Sequence, residues 1–301
     1  MSAPNGAQPQ PEARVDGLQT SNTQLHDQGY RRYGGRRQPS GRTWWVIARA
    51  GILERLRERR FLALLLFAWA PFIVRAVQIY VSSNFSQAGF LAPTAETFRE
   101  FLDQQSIFVF IVTVYVGSGL IANDRRANAL QIYLSKPLTR VEYITGKLMT
   151  LLVFLAGVTF VPAIMLLVLQ LLFAGSAAFL RANLFLFPAI TLFSMIQVLL
   201  SAFAMLALSS LTKSRRFVSI MYAAITFFTA AMYQALRAIT GSRAWALISP
   251  GDTLDVLSDA IFRVPAERAV PVPLALLAVL LLIGAAVWIL ERRVRGVEVV
   301  V

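Results

Sequence analysis

Cysteine is absent from all 301 residues, which excludes disulfides, thiolate nucleophiles and thiolate metal ligands. Histidine occurs once, at His26, in a tail poor in aliphatic residues, so a haem, zinc or histidine-relay function would lack its commonest ligand. Charge is also scarce: 15% of residues carry one, against roughly 25% in soluble domains. There is no G-x-x-x-x-G-K-[ST] to cradle nucleotide phosphates. H-E-x-x-H is missing too, as is G-x-S-x-G with a downstream histidine. No catalytic, cofactor-binding or metal-binding residue is therefore expected. If ATP and magnesium are used, another polypeptide must hold them.

What is abundant is apolar: 56% of the chain. A bilayer core of roughly 30 Å needs about 20 mostly apolar residues per helix. Six segments meet that length, near Phe61–Tyr80, Asp103–Ala122, Leu148–Phe173, Leu184–Leu211, Phe217–Leu236 and Val272–Leu290. The expected fold is an all-α membrane protein with six transmembrane helices. Place the N-terminus in the cytoplasm and let the spans alternate. The inner pieces then hold 22 Lys/Arg against nine Asp/Glu, the whole of the +13 excess, while the outer pieces hold seven of each. That is the positive-inside pattern, with both termini cytoplasmic. Anionic membrane lipid accounts for the basicity, and no nucleic acid partner is needed.

Residues 1–41 are rich in Gln, Pro, Gly, Asn and Ser and read as a disordered cytoplasmic tail. Residues 42–301 read as one six-helix transmembrane domain. Its first part, 42–60, alternates Trp44, Trp45, Ile47, Ile52 and Leu53 with Arg42, Arg49, Arg55, Arg59 and Arg60, which suits an amphipathic helix in the headgroup plane. Pro71 should kink the first span, and Arg75 should snorkel from its outer third; an intramembrane charge is also a functional candidate. Phe98, Phe101 and Leu102 suggest a brief amphipathic turn outside the second span. Before the sixth span, Ser249, Pro250 and Asp252 start a short external helix. Asp252, Asp255 and Asp259 share one of its faces; they suit a cation or, as expected here, a solvated surface.

Some spans carry polar residues on one side. In the fifth, Ser219, Tyr222, Thr226, Thr229 and Tyr233 recur every three or four residues. In the second, Thr113, Tyr115, Gly117 and Ser118 cluster, and in the fourth, Thr191, Ser194, Gln197 and Ser201 form a row. Such residues either bond neighbouring helices or line a route for amphiphilic cargo. Thr113, Ser118, Ser219, Tyr222, Thr226, Thr229 and Tyr233 are the candidate lining. No span holds a carboxylate in its interior, which argues against an ion-coupled carrier.

Between the second and third spans lies a polar, basic loop. Ala127–Leu134 favours a helix, Ser135-Lys136-Pro137 breaks it, and Thr139 with Glu142 forms a T-x-x-E capping box for the next helix. A push on the loop would thus reach the third span without a slack linker. Asp124-Arg125-Arg126, Ala129-Leu130, Tyr133-Leu134-Ser135-Lys136-Pro137, Thr139-Arg140, Tyr143 and Gly146-Lys147 together resemble the ABC-2 type transporter permeases. The order of parts agrees across roughly 42–301. The resemblance implies a permease subunit without ATPase motifs, paired with a second permease as a homodimer or heterodimer. It also implies a separate ABC ATP-binding subunit and a location in the bacterial cytoplasmic (inner) membrane. Asp124, Arg125, Arg126, Leu130, Tyr133, Leu134, Lys136, Pro137, Arg140, Gly146 and Lys147 become the expected ATPase-coupling loop, and the second and fifth spans the expected route. Transport outward is the expected direction. Two other readings stay open: an anchor or assembly factor that uses an ATPase without moving cargo, and a channel or secondary carrier.

Overall fold

Twenty apolar residues in hydrocarbon must satisfy every backbone polar group internally, and a helix does so within the segment. The computed structural model of the protein describes residues 43–85, 93–129, 139–173, 184–266, 268 and 270–294, and among these there is no strand. Six helical stretches are long and apolar enough to cross a membrane: Arg59–Asn84, Ala95–Arg126, Arg140–Phe173, Leu186–Leu211, Arg215–Thr240 and Val272–Arg293. The expected six spans are all present. The first expected coupling residues to fall outside the described set are Leu130, Tyr133, Leu134, Lys136 and Pro137; the 1–41 tail, with His26, falls outside it as well.

Helix α1 (Thr43–Leu56) precedes the spans. The first span is α2 (Arg59–Ala68) and α3 (Ala70–Asn84), broken at Trp69 with Pro71 in the first turn of α3. The second begins as α4 (Ala95–Val112), continues through a π-helical segment (Thr113–Gly117), and ends in α5 (Ala122–Arg126). The third is α6 (Arg140–Val158) and α7 (Phe160–Phe173), interrupted at Thr159, a break that the sequence reading did not anticipate. The fourth and fifth are unbroken, α8 (Leu186–Leu211) and α9 (Arg215–Thr240). A short 3-10 turn (Ala244–Ile248) and α10 (Pro250–Ile261) lead to the sixth, α11 (Val272–Arg293).

Lipid tails are as apolar as leucine, so helices in a membrane associate by close packing rather than by escape from water. The second, third and fourth spans form the centre, and the first, fifth and sixth expose most of their surface. Phe61, Val112, Val116, Leu151, Met205, Val218 and Leu290 pack in one cluster at the basic end. Ile79, Phe98, Phe101, Leu166, Ile190 and Phe262 form another toward the opposite end. Phe98, Phe101 and Leu102 were expected in a separate outer turn. They are instead buried in the first turns of α4, whose start at Ala95 is fixed by a capping box between Thr94 and Thr97.

Helix α1 lies against α6, and glycine makes that contact possible. A Cβ on Gly146 would sit 2.8 Å from the Trp44 carbonyl oxygen and 2.8 Å from the Ile47 Cβ. Its other side keeps Trp45, Val46, Leu53 and Leu56 exposed around Arg49. The helix is therefore apolar on two faces, one for α6 and one facing away from the protein.

Candidate functional site

The end of the second span is unwound, and its loose backbone has to be satisfied. Between the π-helical segment and α5, residues 118–121 form turns. The Ser209 hydroxyl of α8 accepts hydrogen bonds from the Ile121 N–H at 3.1 Å and the Ala122 N–H at 3.0 Å, and donates to the Ser118 carbonyl at 3.0 Å. Next to it, the Arg125 guanidinium donates to the Ser210 carbonyl. Two serines closing an apolar helix were the only sequence signal for this, and they were not read. Ser209→Ala leaves two buried donors and one acceptor unpaired at 1–3 kcal/mol each. The expected loss is about 3 kcal/mol, read as a fall in melting temperature in detergent.

Helix α5 holds Asp124 toward α6. Its carboxylate oxygen Oδ2 accepts the Tyr143 hydroxyl at 2.7 Å and sits 2.7 Å from the Lys147 ammonium. Tyr143 is fully buried, and Lys147 lies 5.6 Å over its ring. Asp124 and Lys147 of the expected coupling loop thus meet Tyr143, another of the motif residues, in one clamp that ties the end of the second span to the start of the third. The Thr139–Glu142 capping box starts α6 as its spacing predicts, with Thr139 N–H to Glu142 Oε2 at 3.0 Å and Glu142 N–H to Thr139 Oγ1 at 3.2 Å. Of the expected helix Ala127–Leu134, Ala127 and Asn128 form a turn, with φ 51° at Asn128, and residues 130–134 lie outside the described set. Asparagine tolerates that left-handed conformation, which ends α5 and reorients the chain. Arg126 and Arg140 are exposed beside the clamp.

A second network sits beside the clamp. Glu58, the N-cap residue of α2, is bound by Arg55 at 2.6 Å and accepts the Tyr115 hydroxyl at 2.9 Å. Burial pulls its carboxyl upward, but the Tyr115 hydrogen bond, Arg55 and the more distant Arg215 together hold it below the usual glutamate value. Arg215, the first residue of α9, donates to the Tyr115 carbonyl at 2.8 Å and to the Ser118 hydroxyl at 3.3 Å. Glu58 and Arg215 were not singled out from the sequence.

The candidate lining residues are divided between two environments. Thr113 and Ser118 are fully buried, and the Tyr222 hydroxyl lies beside Thr113 and Ser201. Ser219, Thr226 and Thr229 donate to carbonyls one turn back in their own helix, at 3.1, 2.9 and 2.7 Å. Tyr233 is buried toward the opposite end, within the field of Arg268. In the fourth span, Ser194 and Gln197 are buried and Thr191 bonds back to Phe187.

At that opposite end the acidic face of α10 is not solvated as expected: Asp252 and Asp259 are buried and Asp255 is half-buried. Asp259 is 1% exposed and pairs with Arg99 at 2.9 Å; Asp252 and Asp255 share Arg268 at 3.1 and 2.6 Å. The arginines come from α4 and from the stretch after α10, so helical periodicity could not reveal them. Arg75 likewise has partners, Glu100 at 3.0 Å and Gln78 at 3.0 Å. Burial pushes the Asp255 carboxyl up to about 6, with Arg268 opposing, Asp103 adding, Arg99 opposing and Asp252 adding. Between about pH 4 and 6 the folded protein therefore keeps a proton that the unfolded chain releases. Asp255 should make stability fall as pH rises through that window, by up to about 3 kcal/mol, and level off above it. The check is the difference in melting temperature between wild type and Asp255→Asn from pH 4.5 to 7: the wild-type excess should shrink as pH rises.

Comparison with known families bears on the whole assembly. A family model described as "ABC-2 family transporter protein" matches residues 45–293. No curated protein matches the chain.

Proposed function

Since the chain belongs to the ABC-2 family of transporter proteins, we propose that it is the permease subunit of an ATP-driven exporter. Its clamp receives the stroke of a separate ATP-binding subunit. That subunit binds ATP and magnesium; this chain contributes the membrane path. The reading is carried by one observation, the Asp124–Tyr143–Lys147 clamp between the end of the second span and the first turns of the third. A displacement of the loop joining these spans acts on both at once, because the loop is pinned at each root. Arg126 and Arg140, exposed next to the clamp, offer charge to a docking partner.

In this reading the basic end faces the cytoplasm of a bacterium, consistent with anionic lipid on that leaflet. Two permease subunits enclose the route, with the exposed fifth span and the buried hydroxyls of the second turned toward it. Thr113, Ser118, Ser219, Tyr222, Thr226, Thr229 and Tyr233 line it once the packed helices part. The uncharged hydroxyls suit an amphiphilic cargo better than a free ion.

Co-purification tests the reading. An ATPase subunit should accompany the chain from its native membrane and be lost when residues 127–136 are replaced by Gly/Ser. Retained binding together with retained ATP-dependent transport would sink the coupling role. Complex formation without flux into vesicles would instead favour an anchor or assembly factor.

A further inference from the structure

A π-helical turn carries one residue more than the α-helix around it. Such turns are rare and concentrate at functional sites. The segment Thr113–Gly117 lies in the second span close to the basic end, and Tyr115 is at its centre. Three residues from two other spans hold that one residue. Its hydroxyl donates to Glu58 at the head of the first span, at 2.9 Å. Its carbonyl accepts from Arg215 at the head of the fifth, at 2.8 Å, and the same guanidinium lies 5.6 Å from its ring centre. Its ring stacks on Phe61 of the first span with centroids 5.4 Å apart. The ring contact alone would serve packing; the two charged contacts fix the rotation of the π turn.

We propose that Tyr115 is a positioning residue for transport, locking the π turn so that the second span holds one of two discrete registers. If the π turn relaxes to α, everything beyond it turns by about 100° and shifts by about 1.5 Å along the axis. That motion carries Ser118 away from Ser209 and Asp124 away from Tyr143 and Lys147. The clamp and the Tyr115 lock therefore open together, and a small push at the loop becomes a helix rotation in the membrane. The source of the push rests on the proposed permease function; the lock itself does not.

The absence of cysteine gives the test a clean background. Spin labels on Arg57→Cys and Ala127→Cys, both at exposed positions outside the lock, report the second span against the first. In nanodiscs the chain alone should show one distance. Tyr115→Phe keeps the ring stack but loses the hydrogen bond to a carboxylate, and should raise a second distance about tenfold in population. Glu58→Ala removes the acceptor and should do the same, whereas Glu58→Gln, which still accepts from the tyrosine, should keep the single distance. One unbroken distance in both Tyr115→Phe and Glu58→Ala, even with a lower melting temperature, overturns the proposal. In the complex with its ATP-binding subunit, Mg-ATP with vanadate should move the wild type to the second distance. A second distance in the isolated variants without any nucleotide effect on the complex would leave the lock standing and remove the ATP-driven reading instead.

Discussion

Asp124→Asn is expected to loosen the join between the second and third spans and to make ATP hydrolysis by the complex independent of the permease. The carboxylate serves two partners from one oxygen, the Tyr143 hydroxyl and the Lys147 ammonium. Its side chain is 17% exposed and that of Lys147 15%, so water can only partly take over either role. Removing one member of a buried pair costs more than the pair contributes, because the surviving charge stays desolvated. With both groups still touched by solvent, the expected loss is about 2 kcal/mol, short of the 3–5 seen for fully buried pairs. Lys147→Met should cost less, since the carboxylate it strands still accepts the Tyr143 hydroxyl. Thermal unfolding in detergent measures the first effect, and permease-stimulated ATP hydrolysis the second. Equal melting temperatures for Asp124→Asn and wild type would rule the clamp out as a mechanical joint.

Gly146→Val should detach α1 from α6. A single added carbon already meets the Trp44 carbonyl oxygen and the Ile47 Cβ at 2.8 Å. Backbone cannot swing aside as a side chain can, so the whole of α1 must shift. Overpacking typically costs 1–3 kcal/mol. Gly146→Ala should fall near about 2 kcal/mol and Gly146→Val beyond it, with a change in the emission of Trp44 and Trp45 as the helix lifts. Gly157 on the same helix supplies the control, because a Cβ there meets nothing within 4 Å. Gly157→Ala should leave stability unchanged or raise it by about 0.5–1 kcal/mol through helix propensity.

Features carried by neighbouring residues were legible in the sequence. The six spans follow from the length of apolar runs, the start of α6 from Thr139 and Glu142, the start of α10 from Ser249, and the break in the first span from Pro71. The membership of the clamp was legible as a set of motif residues, though not its geometry. What escaped depends on distant partners. Asp259 looks solvated until Arg99, 160 positions earlier, is brought to it. Glu58 and Tyr115 are 57 residues apart, and Ser209 lies 88 from Ile121. The π turn leaves no mark in hydrophobic periodicity, because one extra residue in a span that is apolar on most sides changes the pattern very little.

The Ser209 hydroxyl also bears on how the chain is made. Its three backbone contacts join the end of the second span to a residue synthesised 87 to 91 positions later. At about 5–20 residues per second, the turn at 118–121 waits roughly 5–20 s before the hydroxyl that satisfies it has been translated. During that interval two bare N–H groups stand at a membrane boundary where water or the insertion machinery must serve them. The second span therefore enters the bilayer before its lower end can take its final form, and arrival of the fourth span completes it.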